Sequence, residues 1–209
     1  MKNLVIIGAG GMGRTLYGLA TESIGYGSEF VIKGFIDDDI HSLDGFESYP
    51  PLLGTIADYT PEENDVFTCS IGGMSRKRCI ENIVQMGGQF INIIHNTARV
   101  RTNVVMGKGN IVCAYAIIGV DCTLGDYNLF QSFAIIGHDV QMGSFNRIDT
   151  HVTCVGGVKI GNEVDIHTGA IINHGVIVED HARVGAGSFV IRKVKSGTTV
   201  YGNPAKKLM

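Results

Sequence analysis

The chain has 209 residues, room for two modest domains or one large one, and 44% of them are hydrophobic, as in a globular protein with an ample core. A net charge of −3 and a pI near 6.1 give no footing for nucleic acid or an acidic membrane surface as a partner. No apolar run approaches the length of a membrane span, and the N-terminus reads straight into a strand without a signal-peptide cleavage pattern.

Lys2 to Ile7 is an apolar run that ends in Gly8-Ala9-Gly10-Gly11-Met12-Gly13. A helical pattern follows over Arg14 to Ser23. Strand, glycine turn and helix form the opening unit of a nucleotide-binding α/β fold. Glycines let the backbone approach a phosphate, and a helix N-terminus offers it free N–H groups. A tight structural turn is the other reading of the same loop. Val31 to Ile36 predicts a second strand, ending in Asp37-Asp38-Asp39. A carboxylate at that strand end can accept hydrogen bonds from a ribose or a base.

Tyr49 to Leu53, with Pro50 and Pro51, is a turn region. Asp65 to Ile71 predicts another strand, ending at Gly72-Gly73. Arg76 to Met86 predicts a helix stopped by Gly87-Gly88. Phe90 to Ile94 predicts a last strand, and His95 opens the crossing to the next domain. Residues 1–95 thus read as a Rossmann-like domain of four or so parallel strands. It is too short for the second half of a dinucleotide site. A single nucleoside diphosphate, as in a nucleotide sugar, is therefore favoured over NAD, and a dehydrogenase is disfavoured for the same reason.

Residues 96–209 read differently. From Val100 to Val190 every sixth residue is apolar: Val100, Met106, Val112, Ile118, Leu124, Phe130, Ile136, Met142, Ile148, Cys154, Ile160, Ile166, Ile172, Val178, Val184 and Val190. The next residue is often glycine, and the fourth after it is often small or β-branched. Neither a helix nor a strand alone repeats at six. A fixed hexapeptide beat predicts a β-helix whose three flat faces close a triangular coil of roughly 18 residues, about five coils in all. An ordinary β-sandwich would break the register, because its strands vary in length. Cys69, Cys79, Cys113, Cys122 and Cys154 form no CxxC pair and read as small buried hydrophobes in a reducing cytoplasm. Cys154 lies on the inward series, so it is not offered as a nucleophile. The tail holds Lys193, Lys195, Lys206 and Lys207 around Tyr201-Gly202-Asn203-Pro204-Ala205-Lys206. These lysines fit either a solvated terminus or contacts to the phosphates of coenzyme A.

A short glycine-loop domain ending in Asp-Asp, hexapeptide repeats carrying Gly137-His138-Asp139, and a terminal YGNPAK together resemble the sialic-acid O-acetyltransferase-like family. That family includes the acetyl-CoA-dependent N-acetyltransferases of nucleotide-linked amino sugars in bacterial glycan biosynthesis. The resemblance spans essentially the whole chain. It implies a left-handed parallel β-helix, where general physics would expect right-handed crossovers. It also implies a homotrimer, acetyl-CoA bound along the groove between adjacent β-helices, and a nucleotide sugar against the N-terminal domain; a cytoplasmic location and no metal are expected.

The resemblance makes His138 the catalytic base and Asp139 its partner. Neutral imidazole suits removal of a proton as an amine or hydroxyl attacks a thioester. A carboxylate on the other ring nitrogen fixes the tautomer. Neighbours on a strand point to opposite sides, so Asp139 needs a corner conformation to reach back. Stepping about 18 residues from His138 and Asp139 lands on Gly156 and Gly157, and then on His174 and Gly175. These glycines either serve corner geometry or leave space for the thioester and supply an N–H to its oxyanion. Arg147 stands where relatives often have a second histidine beside the acetyl group, and Met12 where they often have histidine. Thr168, Gly169, Gly185 and Ala186 match the pantetheine channel. Lys206 is assigned to the coenzyme. Gly8, Gly10, Gly11, Met12, Gly13, Asp37, Asp38, Gly72 and Gln131 are assigned to the acceptor. No activated Ser or Cys is apparent, so direct transfer without an acyl-enzyme is expected.

Three alternatives stay open. A sugar hydroxyl, such as that of sialic acid, would use the same base. A γ-carbonic-anhydrase-like zinc enzyme would draw on His138, His174, His151, His167 and His181. A non-catalytic nucleotide-binding protein would need none of this chemistry.

Overall fold

The computed structural model describes residues 1–73 and 75–208. The chain forms two compact units, Met1–Ile93 and Ile94–Met209. The first contains β1 (Lys2–Ile7), α1 (Gly11–Thr21), β2 (Phe30–Ile36), β3 (Asp65–Cys69), α2 (Ser75–Gln85) and β4 (Gln89–Phe90). Its strands form one parallel sheet in the order β2-β1-β3-β4. Leu4, Val5, Ile6 and Ile7 are all fully buried, the continuous apolar run expected of a parallel strand covered on both faces.

Helix α1 starts three residues before the expected Arg14. Gly11, Met12 and Gly13 already form its first turn, and the Arg14 N–H donates to the Gly10 carbonyl at 3.0 Å. Gly13 is there for packing: a Cβ would overlap the Gly8 carbonyl. The strand expected over Phe90 to Ile94 divides. Gln89–Phe90 pairs with β3, whereas Ile93–Ile94 belongs to the β-helix.

Buried Asp65, at the start of β3, anchors an ion set that composition did not reveal. Lys33 Nζ lies 3.0 Å from Asp65 Oδ1 and 2.9 Å from Glu62 Oε2. The Tyr59 hydroxyl donates to Asp65 Oδ2 at 2.6 Å, and the Glu62 N–H donates to the same oxygen at 3.0 Å. Burial alone would raise the Asp65 carboxyl, but Tyr59, the Glu62 N–H and Lys33 outweigh it and hold the group below its ordinary value. A depressed carboxylate contributes stability above its unfolded pKa, about 3.9. That contribution is lost as pH falls through the lower folded value. Asp65→Asn is expected to cost about 3 kcal/mol at pH 7 by breaking a buried pair. It should also flatten the acid limb of thermal stability. An unchanged melting profile against pH would contradict this.

The second unit is the parallel β-helix the repeat predicts. Two-residue strands stack in three sheets, and up to the last coil each strand pairs with the one 18 residues on, as in Thr123↔Gln141 and Ile135↔Thr153; the last step, Arg183↔Thr199, is 16 residues. The six-stranded face runs from Arg99–Val100 to Phe189–Val190. The five-stranded face runs from Val105–Met106 to Ile177–Val178. The eight-stranded face includes Ile111–Val112, Leu129–Phe130, Arg147–Ile148 and Asp165–Ile166. The apolar series is buried from Val112 to Val190; only Val100 and Met106, at the open first coil, are not.

One inward column departs from the small-apolar pattern. Asn110, Asn128 and Asn146 are fully buried. The Asn128, Asn146 and Val164 N–H groups donate to the Asn110, Asn128 and Asn146 side-chain carbonyls at 2.8, 2.9 and 2.8 Å. Coils about 4.8 Å apart stack these amides so that each satisfies the backbone of the next. Glycines after the apolar residue answer a similar need. At Gly107, Gly125, Gly143 and Gly161 a Cβ would strike Asp126, Ser144, Asn162 and Asp180. Those side chains turn in to accept the N–H groups of Lys108, Asp126, Ser144 and Asn162.

Candidate active site

His138 and Asp139 occupy the corner between the six-stranded and five-stranded faces, after Ile135–Ile136 and before Gln141–Met142. Asp139 has φ +58°, the left-handed conformation. That corner turns two sequence neighbours to the same side. His138 Nδ1 and Asp139 Oδ2 then meet at 2.6 Å. Both side chains are more than half exposed. With Nδ1–H donating to the carboxylate, Nε2 keeps its lone pair for a proton.

Gly156 lies directly beneath the ring. A Cβ there would fall 2.5 Å from His138 Cε1 and overlap Nε2. The space directly over Gly156 is therefore filled by the imidazole, and the glycine seats the ring. Of the two glycine N–H groups expected to face an oxyanion, that of Gly157 donates to the His138 carbonyl at 2.8 Å and is spent on the coil ladder. Below that corner the next coil presents His174 and Gly175. At Gly175 a Cβ would meet nothing within 4 Å, and the His174 ring approaches His138 with centroids 6.5 Å apart.

The other expected coenzyme residues lie at the corner between the eight-stranded and six-stranded faces, or on the strands leading to it. Arg147 projects outward from Arg147–Ile148 and donates from Nε to Asp149 Oδ1 at 2.6 Å. Gln131 Oε1 accepts from the Thr150 hydroxyl at 2.9 Å. Thr168 and Gly169 form the next rung, and a Cβ on Gly169 would meet nothing within 4 Å. Gly185 sits against the Tyr201 ring and is followed by Ala186. Exposed Lys206 lies in the antiparallel strand Lys206–Lys207 that closes the last coil. Sequence reading missed Asp149 and its pairing with His167, although the 18-residue step from Gln131 leads to both. His167 Nδ1 lies 3.1 Å from Asp149 Oδ2.

In the N-terminal unit the residues expected to meet the acceptor include those of the glycine turn and the end of β2. Gly8 has φ +93°, and Gly10 is the N-cap of α1 without a side-chain cap. Asp37 Oδ2 accepts the Ala9 N–H at 2.7 Å, and its Oδ1 accepts the Asp39 N–H at 3.0 Å. Asp38 Oδ1 accepts the Ile56 N–H at 3.0 Å. Asp37 thus ties the glycine loop to the end of β2, a structural duty the sequence did not disclose. Arg14 stacks on Phe46, with its guanidinium carbon 3.7 Å from the ring centroid. Gly72 follows β3, with nothing within 4 Å of an added Cβ.

The histidines are distributed rather than gathered. His151 stacks on Phe133, His167 faces Asp149, and His181 faces Glu163 at 3.8 Å. Among the described residues no group of three metal-ligating side chains converges. All five cysteines are buried and unpaired. Burial pushes the Cys154 thiol up to about 12, so it is no thiolate nucleophile at neutral pH.

Comparison with known proteins accords with this geometry. A family model described as the PglD N-terminal domain matches residues 3–83. The acetyltransferase domain of PglB from Neisseria gonorrhoeae FA1090 is 30% identical over 100% of both chains, with a TM-score of 0.88. The same domain in complex with acetyl coenzyme A is 31% identical over 99% of both chains, also at 0.88. WeeI from Acinetobacter baumannii AYE shares the fold at 24% identity over 100% of both chains, with a TM-score of 0.86. PerB from Caulobacter crescentus, solved in complex with CoA and GDP-perosamine, shares it at 24% identity over 100% of this chain and 98% of its own, at 0.89.

Proposed function

Because the chain belongs to the hexapeptide-repeat nucleotide-amino-sugar N-acetyltransferases, we propose that it moves acetyl from acetyl-CoA to the amino group of a nucleotide-linked amino sugar, with His138 as general base. The observation that carries this reading is the 2.6 Å His138–Asp139 pair on an exposed corner. Asp139 fixes Nδ1 as the donor. Nε2 then takes the proton of the acceptor amine as its nitrogen bonds to the acyl carbon. The carbon–sulfur bond breaks, and the leaving thiolate is protonated from the imidazolium or water. The glycine turn at Gly8–Gly13 and the N-terminus of α1 suit the diphosphate of the acceptor.

We assign a homotrimer on the outward row of the six-stranded face. Ile117, Ile135, Ile171 and Phe189 point away from the coil interior, and Ile135 and Ile171 are 42% and 41% exposed. Ile135→Glu is expected to lower the solution mass from three chains towards one, as read by light scattering; an unchanged mass would rule this face out. The free cysteines fit a reducing compartment, so the cytoplasm is the assigned location, and no helix among the described residues is long and apolar enough to cross a membrane.

The activity is tested by following thiol release from acetyl-CoA with nucleotide-linked 4-amino sugars and with sialic acid as acceptors. Release with a nucleotide amino sugar supports the proposal. Release with sialic acid alone would replace it with O-acetylation, and release with neither would overturn it.

A further inference from the structure

The corner that holds the base carries a second imidazole outside the His138–Asp139 pair. The column through it runs Thr102, Val120, His138, Gly156, His174, one residue per coil. Its one glycine separates the two histidines, and the Gly175 N–H continues the ladder to the Gly156 carbonyl at 3.1 Å. Coils rise about 4.8 Å each, so two of them put the backbones of His138 and His174 about 9.6 Å apart. Their ring centroids are only 6.5 Å apart. The two rings lean towards each other across a coil that has no side chain at this corner.

The lean has a direction. A Cβ on Gly156 would overlap His138 Nε2, and one on Gly157 would come within 3.5 Å of His174 Cε1. The nitrogen that Asp139 leaves free on the base thus lies over the coil that separates it from His174. His174 is exposed, and among the described residues neither of its ring nitrogens has a hydrogen-bond partner. With no partner to fix its tautomer, such a ring can carry a proton on either nitrogen.

We propose that His174 is the general acid of the transfer, giving a proton to the sulfur of coenzyme A as it leaves. The inference rests on the function proposed above. The amine nitrogen bonds to the acyl carbon, and its proton passes to His138 Nε2. The carbon–sulfur bond breaks, its electron pair goes to sulfur, and the proton of the His174 imidazolium follows it. His138 ends protonated and His174 neutral, and exchange with solvent restores both, since both rings are exposed. In the tetrahedral intermediate only the acyl carbon separates nitrogen from sulfur. A base and an acid that serve the two must therefore lie near each other on one surface, each within hydrogen-bond reach of its atom. These two imidazoles meet the first condition within a single chain.

The test compares two acyl donors in single-turnover assays. A cysteine-like thiol has a pKa of about 8.5, so its thiolate gains less from a proton than a poorer leaving group would. His174→Gln is accordingly expected to slow transfer from acetyl-CoA about 10-fold, below the usual range for a positioned acid–base group, with both KM values within about threefold. Acetyl-seleno-coenzyme A has the same shape, but its selenolate leaves without a proton. With that donor His174→Gln should come within about threefold of wild type, while His138→Ala stays impaired with either donor. His174→Asn is expected to behave alike and serves should His174→Gln fold poorly. Wild-type rates with acetyl-CoA in both variants, or an equal loss with both donors, would overturn the proposal. A wild-type protein inactive towards every nucleotide amino sugar would overturn the function itself.

Discussion

His138→Ala is expected to lower acetyl transfer about 10²–10⁴-fold, the range over which a positioned acid–base group contributes. Acetyl-CoA binding should persist, since the ring is exposed and takes no part in the coil core. The melting temperature should hold for the same reason. Asp139→Asn should cost less, because it leaves the imidazole in place but removes the partner that fixes its tautomer. Single-turnover acetyl transfer separates chemistry from product release and is the assay of choice. Near-normal turnover in His138→Ala would remove the assignment.

Gly156→Ala is expected to have the next largest effect, and for a reason visible only in three dimensions. Its new methyl would occupy the volume of the His138 ring. The imidazole must then leave its seat, and kcat should fall about 10–100-fold through misplacement of the base. A general defect at the corner would look similar in a single variant, so the informative experiment is a double-mutant cycle. In a His138→Ala background the ring is gone, and adding Gly156→Ala should change neither residual rate nor melting temperature. A further loss of stability in the double variant would show that the glycine serves the coil rather than the base.

The β-helix was legible because its signal is one-dimensional. One apolar residue in six, unbroken from Val100 to Val190, is the sequence image of flat faces, and the observed 18-residue pairing is its direct consequence. The strand–glycine–helix opening was legible too, although α1 begins inside the glycine run because Gly11–Gly13 take helical geometry. Side-chain duties were harder to read. Nothing in the residue types says that Asn128 points inward, and the stacked amides become sensible only once neighbouring coils supply a backbone N–H to each carbonyl. Asp37 reads as a ribose acceptor, and only its geometry shows that its carboxylate also holds the Ala9 N–H. Gly156 was placed correctly under His138 by the coil period, but the period could not tell that the ring would lie down on it. Asp149 and His167 stand one and two steps along the column from Gln131, so the same arithmetic reaches them. Only the distances reveal that they belong together.

The most direct measurement is a crystal structure of the ternary complex with coenzyme A and the nucleotide amino sugar that supports turnover. His138 Nε2 is expected within about 3.2 Å of the acceptor nitrogen, the reach a general base requires, with Nδ1 still on Asp139. An acceptor nitrogen lying beyond the reach of that imidazole, or a ring turned away from it, would contradict the account.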